Sequence, residues 1–335
     1  MRKMHKRVVV ITGASSGFGR GTAVKFADEG ASVVLAARRK RLLKEVAREC
    51  KELEAEALVV ETDVSDADEV ERLAEAALAK FGTIDVWINN AGVGAVGRFQ
   101  ETPLREHEQV IRTNLMGTIY GSHTALRQFQ KQGYGVLINV SSFAGKVAAP
   151  YLSSYSASKF GVRGLDMALR QELEQNHDDN IHVCTVLPVS MDTPFFEHAA
   201  NHTGKPVQPI PPVYDPQKVV DAIYQMAMEP QDEIVVGAFG HVGSLGERFA
   251  PKLTEKHMGK KTHKVQMEQN EWAPERPGSV FEPMESGTDL YASHQEKGSV
   301  GKLAAGLSLG VPLAMGAVYL ALEKMRKRGV QARAA

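Results

Sequence analysis

Seven short runs of apolar residues recur along the first 240 residues, and stretches with helical periodicity separate them. The runs lie at 8–11, 32–36, 57–60, 84–88, 135–140, 181–187 and 233–238. Buried strands that alternate with helices are typical of a parallel sheet covered on both faces. Because the alternation never restarts, it predicts an α/β fold with one doubly wound, Rossmann-like domain over residues 1–240.

Beyond residue 240 the alternation stops, and the chain continues as an extension. Residues 241–268 are rich in charged side chains and allow a surface helix, whereas 272–297 contains three prolines and little apolar periodicity. Such a composition is typical of a connecting segment. We therefore expect a charged, proline-containing extension or linker over 241–300.

A further segment, 301–325, is apolar at its centre. Residues 303–322 carry no charge, and a helix of that length would span about 30 Å, the thickness of a bilayer's hydrocarbon core. The basic group at 324–328 favours a cytoplasmic side for that end, which conflicts with a catalytic domain on the same side of a single span. The expectation is membrane association, as a span or at the interface. The alternative is a packed helix.

Composition and charge are those of an ordinary soluble globular protein. Hydrophobic residues make up 43% of the 335 positions, charged residues 24%, and the formal net charge is zero. A nucleic-acid partner would need a basic face, so the balance argues against one. Cys50 and Cys184 lack disulfide or metal-ligand spacing, and His198 and His202 have no third ligand at a suggestive spacing. Without a secretion signal, the sequence predicts a cytoplasmic protein with no metal site.

A glycine-rich turn follows the first apolar run. The strand at 8–11 leads into Thr12-Gly13-Ala-Ser-Ser-Gly17-Phe-Gly19, and a helical pattern starts at once. Glycines between a strand and a helix let the backbone approach a pyrophosphate, whose charge then lies at the helix N-terminus. The order of strand, glycines and helix favours dinucleotide binding over a simple turn.

Tyr155 and Lys159 lie four residues apart and so share one face of a predicted helix. Such a pair can be a solvated surface pair. It can also make an acid, because a nearby ammonium favours the phenolate and lowers the phenol pKa from about 10 toward neutrality. The second interpretation gains weight from the glycine turn.

Together these motifs resemble those of the short-chain dehydrogenase/reductase family over roughly residues 7–240. Asp63 and Val64 resemble its adenine-binding turn, and Asn-Asn-Ala-Gly at 89–92 resembles its structural and cofactor motif. The resemblance implies an NAD(P)-dependent oxidoreductase. The cofactor-binding residues that it implies are Thr12, Gly13, Ser15, Ser16, Gly17, Phe18, Gly19, Asp63, Val64, Asn90, Ala91, Gly92, Tyr155, Lys159, Pro188 and Thr193.

The resemblance also implies four catalytic residues. Tyr155 would be the general acid or base, and Ser142, thirteen positions earlier, would hydrogen-bond the reacting oxygen. Lys159 would stabilise the tyrosinate and hold the nicotinamide ribose, and Asn114 would organise a water that relays protons. Only the family spacing selects Ser142 over its neighbour Ser141.

The end of the second predicted strand bears on the choice of cofactor. Arg38, Arg39, Lys40 and Arg41 follow it, with no carboxylate among them. An acidic residue there would bind the ribose hydroxyls of NAD(H), whereas an arginine binds a 2′-phosphate through charge-assisted bonds. NADP(H) is therefore preferred over NAD(H), with Arg38 as the first ligand and Arg39 as the second. The alternative is a solvated helix start.

The substrate pocket should be formed by loops beyond the carboxyl ends of the strands, at 94–99, 143–151 and 189–214. Val189 stands where the family usually has a glycine. The apolar residues that these loops contribute are Phe99, Phe143, Val147, Tyr151, Met191, Phe195 and Phe196. They favour an apolar ketone or alcohol as the small-molecule substrate, although loop aromatics are equally often packing anchors.

Three classes of function fit the sequence. The first is an NADP-dependent oxidoreductase that acts on a carbonyl or alcohol carbon, which is favoured because every catalytic position is filled. The second is a nucleotide-binding sensor or scaffold, and the third is an epimerase or dehydratase on the same fold. Family resemblance also implies a homo-oligomer that uses the helix bearing Tyr155.

Overall fold

A computed structural model describes residues 4–292 and contains a central sheet of parallel strands. Nine strands occur in the described residues: β1 (Val8–Thr12), β2 (Ser32–Ala37), β3 (Ala57–Glu61), β4 (Val86–Asn89), β5 (Ala95–Gly97), β6 (Gly135–Val140), β7 (Ile181–Pro188), β8 (Ala200–His202) and β9 (Glu233–Val236). Seven form the main sheet in the order β3-β2-β1-β4-β6-β7-β9, and β5 pairs with β8 separately. Every neighbouring pair in the main sheet is parallel, which confirms the predicted α/β fold.

Helices connect the strands and cover both faces of the sheet. They are α1 (Gly17–Asp28), α2 (Lys40–Glu52), α3 (Ala67–Phe81), α4 (Leu104–Ile111), α5 (Gly117–Gln132), α6 (Ser153–Gln175), α7 (Phe195–His198), α8 (Gln217–Met228), α9 (Ala238–Phe249) and α10 (Pro251–Met267). A π-helical turn, Arg112–Met116, joins α4 to α5, and a 3₁₀ turn, Phe143–Gly145, follows β6. The strand order reverses between β1 and β4, and ligands bind at such switch points in open α/β sheets.

The core has two layers because successive strand residues point to opposite faces of the sheet. In β1, Val9 and Ile11 belong to one buried cluster and Val8 and Val10 to the other. The first cluster includes Phe26 of α1, and the second includes the corresponding apolar faces of α3 and α5. Residues buried on both faces give the continuous apolar runs of the sequence.

The seven predicted strands all occur, and their ends differ slightly from the prediction. The run at 233–238 stops as a strand at Val236, because Gly237 adopts φ +114° and α9 begins at the next residue. The short strands β5 and β8 were not predicted, since three residues are too few to show a period.

The extension contains two helices, α9 and α10, and then a segment at 268–292 with no helix or strand. This segment hydrogen-bonds to residues near the sheet, among them Arg38. Among residues 4–292, none of the helices has the length and hydrophobicity that a membrane span requires. The predicted apolar segment 303–322 lies outside the described residues.

Candidate active site

A long cleft runs along the carboxyl ends of the central strands. Its walls contain most of the residues predicted to bind a cofactor or to act in catalysis. Those that line it are Gly13, Ser15, Ser16, Gly17, Phe18, Arg38, Arg39, Asp63, Val64, Asn90, Ala91, Gly92, Ser142, Tyr155, Lys159, Pro188 and Thr193. Thr12, Gly19 and Asn114 do not line the cleft.

Two of these three residues, Thr12 and Gly19, support the glycine turn from outside the cleft. The Thr12 hydroxyl accepts hydrogen bonds from the backbone N–H groups of Asn90, at 3.0 Å, and Ala91, at 3.2 Å. A Cβ at Gly19 would overlap the carbonyl of Gly13, so α1 can approach the turn only with glycine there. These residues shape the turn on which a pyrophosphate would lie.

The glycine turn fits a dinucleotide. Gly13 adopts φ +67°, and a Cβ at this position would lie 2.9 Å from the Cα atom of Ala91. Gly17, at the start of α1, has open space where a Cβ would be. The space beside these glycines, which have no side chain, and the N-terminus of α1 together suit an anionic pyrophosphate.

Tyr155, Lys159 and Ser142 meet in the middle of the cleft. Ser142 hydrogen-bonds the Tyr155 hydroxyl. The Lys159 Nζ atom lies 5.7 Å from the centre of the Tyr155 ring and donates to the carbonyl of Val140 at 2.9 Å. Ser141 has another partner, since its hydroxyl donates to the Lys159 carbonyl at 2.9 Å. The geometry therefore distinguishes the two serines, which sequence alone could not do.

The ionisation of this group differs from the expectation. Burial raises the pKa of Tyr155 to about 12, although the hydrogen bond from Ser142 lowers it in part. Burial also lowers the pKa of Lys159 to about 8. The predicted fall of the Tyr155 pKa is wrong, because desolvation outweighs the hydrogen bond with Ser142.

Burial of the Lys159 amino group should make the free energy of unfolding depend on pH when no cofactor is bound. Because folding lowers the Lys159 pKa from 10.5 to about 8, the unfolded chain binds an additional proton between those pH values. The free energy of unfolding should then rise by about 2 kcal/mol between pH 8 and pH 10 through this group. We expect urea unfolding at both pH values to show that rise in the wild type relative to Lys159→Met. A pH-independent difference between the two proteins would contradict the buried, protonatable lysine.

Asn114 lies in the π-helical turn, fully buried. Its Oδ1 atom accepts from the Val93 N–H at 2.8 Å, and its Nδ2 atom donates to the Val93 carbonyl and to the Ser158 hydroxyl. A Cβ at Gly92 would lie 3.4 Å from Asn114 Oδ1 and 3.7 Å from Lys159 Nζ. Asn114 and Lys159 are thus neighbours, while the water relay stays a prediction.

At the other end of the cleft, Arg38 and Arg39 lie where the second strand ends. The Arg39 guanidinium donates to the hydroxyl groups of Ser15 and Ser16 at 2.7 to 3.1 Å. Asp63 and Val64 line the cleft nearby, and the Asp63 carboxylate accepts from Ser65 within its own turn. Two guanidinium groups and two hydroxyl groups thus lie together beside the glycine turn.

A family model described as short chain dehydrogenase matches residues 7–203, well over half of the chain. The chain belongs to the short-chain dehydrogenase/reductase family. An uncharacterised oxidoreductase of Bacillus subtilis is 35% identical over 269 residues, which cover 78% of this chain and 75% of that protein. Members of this family are NAD(P)-dependent oxidoreductases, and this chain is one of them.

Solved structures of short-chain dehydrogenase/reductases share the fold. The alcohol dehydrogenase of Thermococcus sibiricus, complexed with 5-hydroxy-NADP, is 27% identical with a TM-score of 0.60, and the match covers 69% of this chain and 95% of that one. A family member from Burkholderia phymatum in complex with NAD is 26% identical with a TM-score of 0.69, covering 76% and 96%. Both nicotinamide cofactors occur among these relatives, so the relatives leave the choice open.

The substrate half of this dehydrogenase's cleft is largely apolar. Of the predicted wall residues, Phe143, Val147, Met191, Phe195 and Phe196 line it. Phe99 and Tyr151 do not line the cleft. Phe99 is 61% exposed and packs beside His107, and the Tyr151 hydroxyl forms a hydrogen bond with His263. Phe239 and Met258 complete the wall from α9 and α10. No sequence signal pointed to them, because Phe239 lies after the last family motif and Met258 lies in the extension.

Proposed function

We propose that this dehydrogenase uses NADP(H) to reduce the carbonyl group of an apolar small molecule, with Tyr155 as the proton donor. One observation carries the proposal. A single cleft joins the Ser142, Tyr155 and Lys159 side chains to a glycine turn and then to Arg38 and Arg39. That arrangement suits a cofactor with its reactive end at the tyrosine and a phosphate at the arginines.

Catalysis by this chain would consist of placing and protonating the substrate. NADP(H), when bound, supplies the hydride. The Ser142 hydroxyl would hold the carbonyl oxygen, and the Tyr155 hydroxyl would donate its proton to that oxygen as negative charge develops there. The Lys159 ammonium, 5.7 Å from the Tyr155 ring, would stabilise the resulting phenolate.

The raised pKa of Tyr155 supports reduction as the favoured direction near neutral pH. Reduction needs a protonated phenol, and a pKa of about 12 keeps Tyr155 in that form. Oxidation needs the phenolate, which would require a higher pH or a pKa lowered by the bound cofactor.

Preference for NADP(H) is supported by the charges at the end of β2. None of residues 38–41 is acidic. Arg38 and Arg39 both line the cleft, and the hydroxyl groups of Ser15 and Ser16 lie beside Arg39. An additional phosphate there would offset two partly buried cations.

The apolar wall makes a prediction for substrate preference. Moving one methylene group from water into such a wall contributes about 0.8 kcal/mol, or about a fourfold gain. With NADPH, kcat/KM should therefore rise about fourfold per methylene along a 2-alkanone series from butanone to octanone, until the pocket is full. Initial rates measure this, and 4-oxopentanoate is the charged control. A flat series, or a preference for the charged ketone, would contradict an apolar pocket.

Deuterium transfer tests the proposed reaction. The wild-type protein is incubated with NADPH that carries two deuterium atoms at C4 and with members of the ketone series, and the alcohol is analysed by mass spectrometry. We expect one deuterium on the carbinol carbon. Turnover that leaves the label on the cofactor would favour an epimerase or dehydratase instead, and NADPH binding without any turnover would favour a sensor.

We also propose that the protein forms a homo-oligomer through α6 and associates with membranes through 303–322. Exposed apolar side chains on α6, Phe160 at 42% and Met167 at 45%, support the first proposal. Light scattering of the full-length chain tests the oligomer, since a monomeric mass would refute it.

Membrane association through 303–322 rests on the sequence. Absence of the chain from floated liposomes would refute it.

A further inference from the structure

Residues 273–292, here called the strap, follow α10 and cross the cofactor half of the cleft. On one side of the cleft, the Arg276 and Asn201 backbones exchange hydrogen bonds of 2.8 and 3.0 Å. On the other side, the Asp289 carbonyl accepts from the N–H of Gly17, at the start of α1, at 2.9 Å. The strap is therefore tied to the body of the protein on both sides.

The middle of the strap binds both arginines predicted to hold the phosphate. Arg38 donates to the carbonyls of Ser279 and Phe281, and Arg39 donates to the carbonyl of Met284 at 2.7 Å. Backbone carbonyls thus fix the guanidinium groups from the solvent side. On the inner side, Ser15 and Ser16 fix Arg39.

The strap roofs the cofactor pocket and leaves the space beneath it open. Ser279 and Pro283 line the same cleft as Gly13 and Asp63 on the opposite wall. Val280, fully buried, anchors the strap in a small apolar cluster beside the cleft. A segment that filled the pocket would leave no cleft between these two walls.

The arginines keep both donors and charge for a ligand. A guanidinium has five N–H donors, of which the strap bonds of Arg38 use two. Arg39 makes four hydrogen bonds, to Met284 in the strap and to the hydroxyl groups of Ser15 and Ser16, and so keeps one donor. The strap acceptors are neutral carbonyl groups. Glu285 of the strap forms its hydrogen bond with Arg41, at 2.6 Å, and acts on Arg39 only through its charge. Burial lowers the pKa of Arg39, as expected for a cation that has lost water without gaining a bonded anion. An anion beneath the strap would complete this arrangement.

We propose that the strap forms the outer wall of the adenosine 2′-phosphate site, holding Arg38 and Arg39 in place and closing over bound NADP(H). The proposal rests on the proposed use of NADP(H). Because the cofactor would lie between strap and sheet, its release requires the strap to open. The contacts of Arg38 and Arg39 with the strap exist before binding and so reduce the ordering cost of binding. The bond between the Asp289 carbonyl and the Gly17 N–H must open before a pyrophosphate can use that N–H.

Gly278 offers a substitution that displaces the strap. It adopts φ +54°, and a Cβ there would overlap the His198 carbonyl, so Gly278→Ala must push the strap outward. Gly133 is a matched control, because it has φ +81° and nothing lies within 4 Å of an added Cβ. Stopped-flow fluorescence of NADPH bound to the full-length chain measures association and dissociation. We expect Gly278→Ala to release NADPH about tenfold faster or more, with Gly133→Ala within twofold of the wild type.

Other outcomes separate this inference from the proposed function. If Gly278→Ala releases NADPH at the wild-type rate, the strap does not close over the cofactor. If Gly278→Ala binds NADPH faster, with equal or tighter affinity, the strap competes with the cofactor, which also refutes the proposal. A wild-type protein that binds NADH but not NADPH would refute both the proposed cofactor and the closure of the strap over it.

Proteolysis of the wild type is a second test, which needs no variant. Glu285 in the strap has a side chain that is 73% exposed, so glutamyl endopeptidase should cut after it, and Glu271 just outside the strap is a control site. We expect NADP⁺ to slow cleavage after Glu285 at least tenfold more than cleavage after Glu271. Equal protection of both sites, or faster cleavage after Glu285, would refute closure of the strap over the cofactor.

Discussion

Tyr155→Phe is expected to lower kcat by about 10²- to 10⁴-fold, the usual contribution of general acid catalysis. The phenylalanine ring fills the same space in α6 but has no proton to give, and Ser142 loses its hydrogen-bond partner. The dissociation constant for NADPH should stay within about threefold, because the hydroxyl acts on the substrate oxygen. Steady-state reduction of a 2-alkanone and fluorescence titration with NADPH measure the two effects.

Tyr151→Phe is the matched control for that loss. Tyr151 is also an aromatic residue near the start of α6, but its hydroxyl is bonded to His263 at 2.6 Å and does not line the cleft. Its kcat should stay within about threefold of the wild type. Equal kcat values for Tyr155→Phe and the wild type would remove Tyr155 from the role of acid.

Arg38→Leu is expected to lower kcat/KM for NADPH about 100-fold more than it lowers kcat/KM for NADH. Hydrogen bonds to a charged group contribute about 1.5–3 kcal/mol each, and an arginine commonly forms two with a phosphate. Loss of the strap contacts of Arg38 would affect both cofactors, whereas loss of a phosphate ligand affects NADPH alone. The ratio of the two kcat/KM values therefore isolates the phosphate.

Arg41→Leu controls for the removal of a positive charge near the cleft. Arg41 lies three residues further along and pairs with Glu45 and Glu285, and it does not line the cleft. Its preference for NADPH should fall less than threefold. If Arg38→Leu lowers kcat/KM equally for NADPH and NADH, Arg38 holds the strap and does not select the cofactor.

Much of the fold could be predicted from the sequence, because local patterns determine it. Strands buried on both faces are mostly apolar, so Val8–Thr12 and the six other strands of the main sheet are visible as apolar runs. The glycine turn was visible for a similar reason, since Gly13 and Gly19 leave room that no side chain permits. Family spacing then selected Tyr155, Lys159 and Ser142, which the structure brings together.

The features that sequence could not reveal depend on contacts between distant residues. Arg38 and the strap carbonyl of Phe281 are 243 positions apart, and an extended segment without periodicity gives no sign of its partner. Met258 reaches the substrate pocket from a helix whose outer face is charged. The pKa of Tyr155 depends on its burial and on its hydrogen bond with Ser142, and the spacing of four residues from Lys159 reports neither.

The crystal structure of the complex with NADP⁺ is the most direct test of the proposed site. We expect the 2′-phosphate beneath the strap, hydrogen-bonded to Arg38 and Arg39, and nicotinamide C4 near enough to the Tyr155 hydroxyl for both to reach one substrate carbonyl, within about 3–4 Å of each. A nicotinamide turned away from Tyr155, or a 2′-phosphate outside the reach of both arginines, would contradict the proposed chemistry.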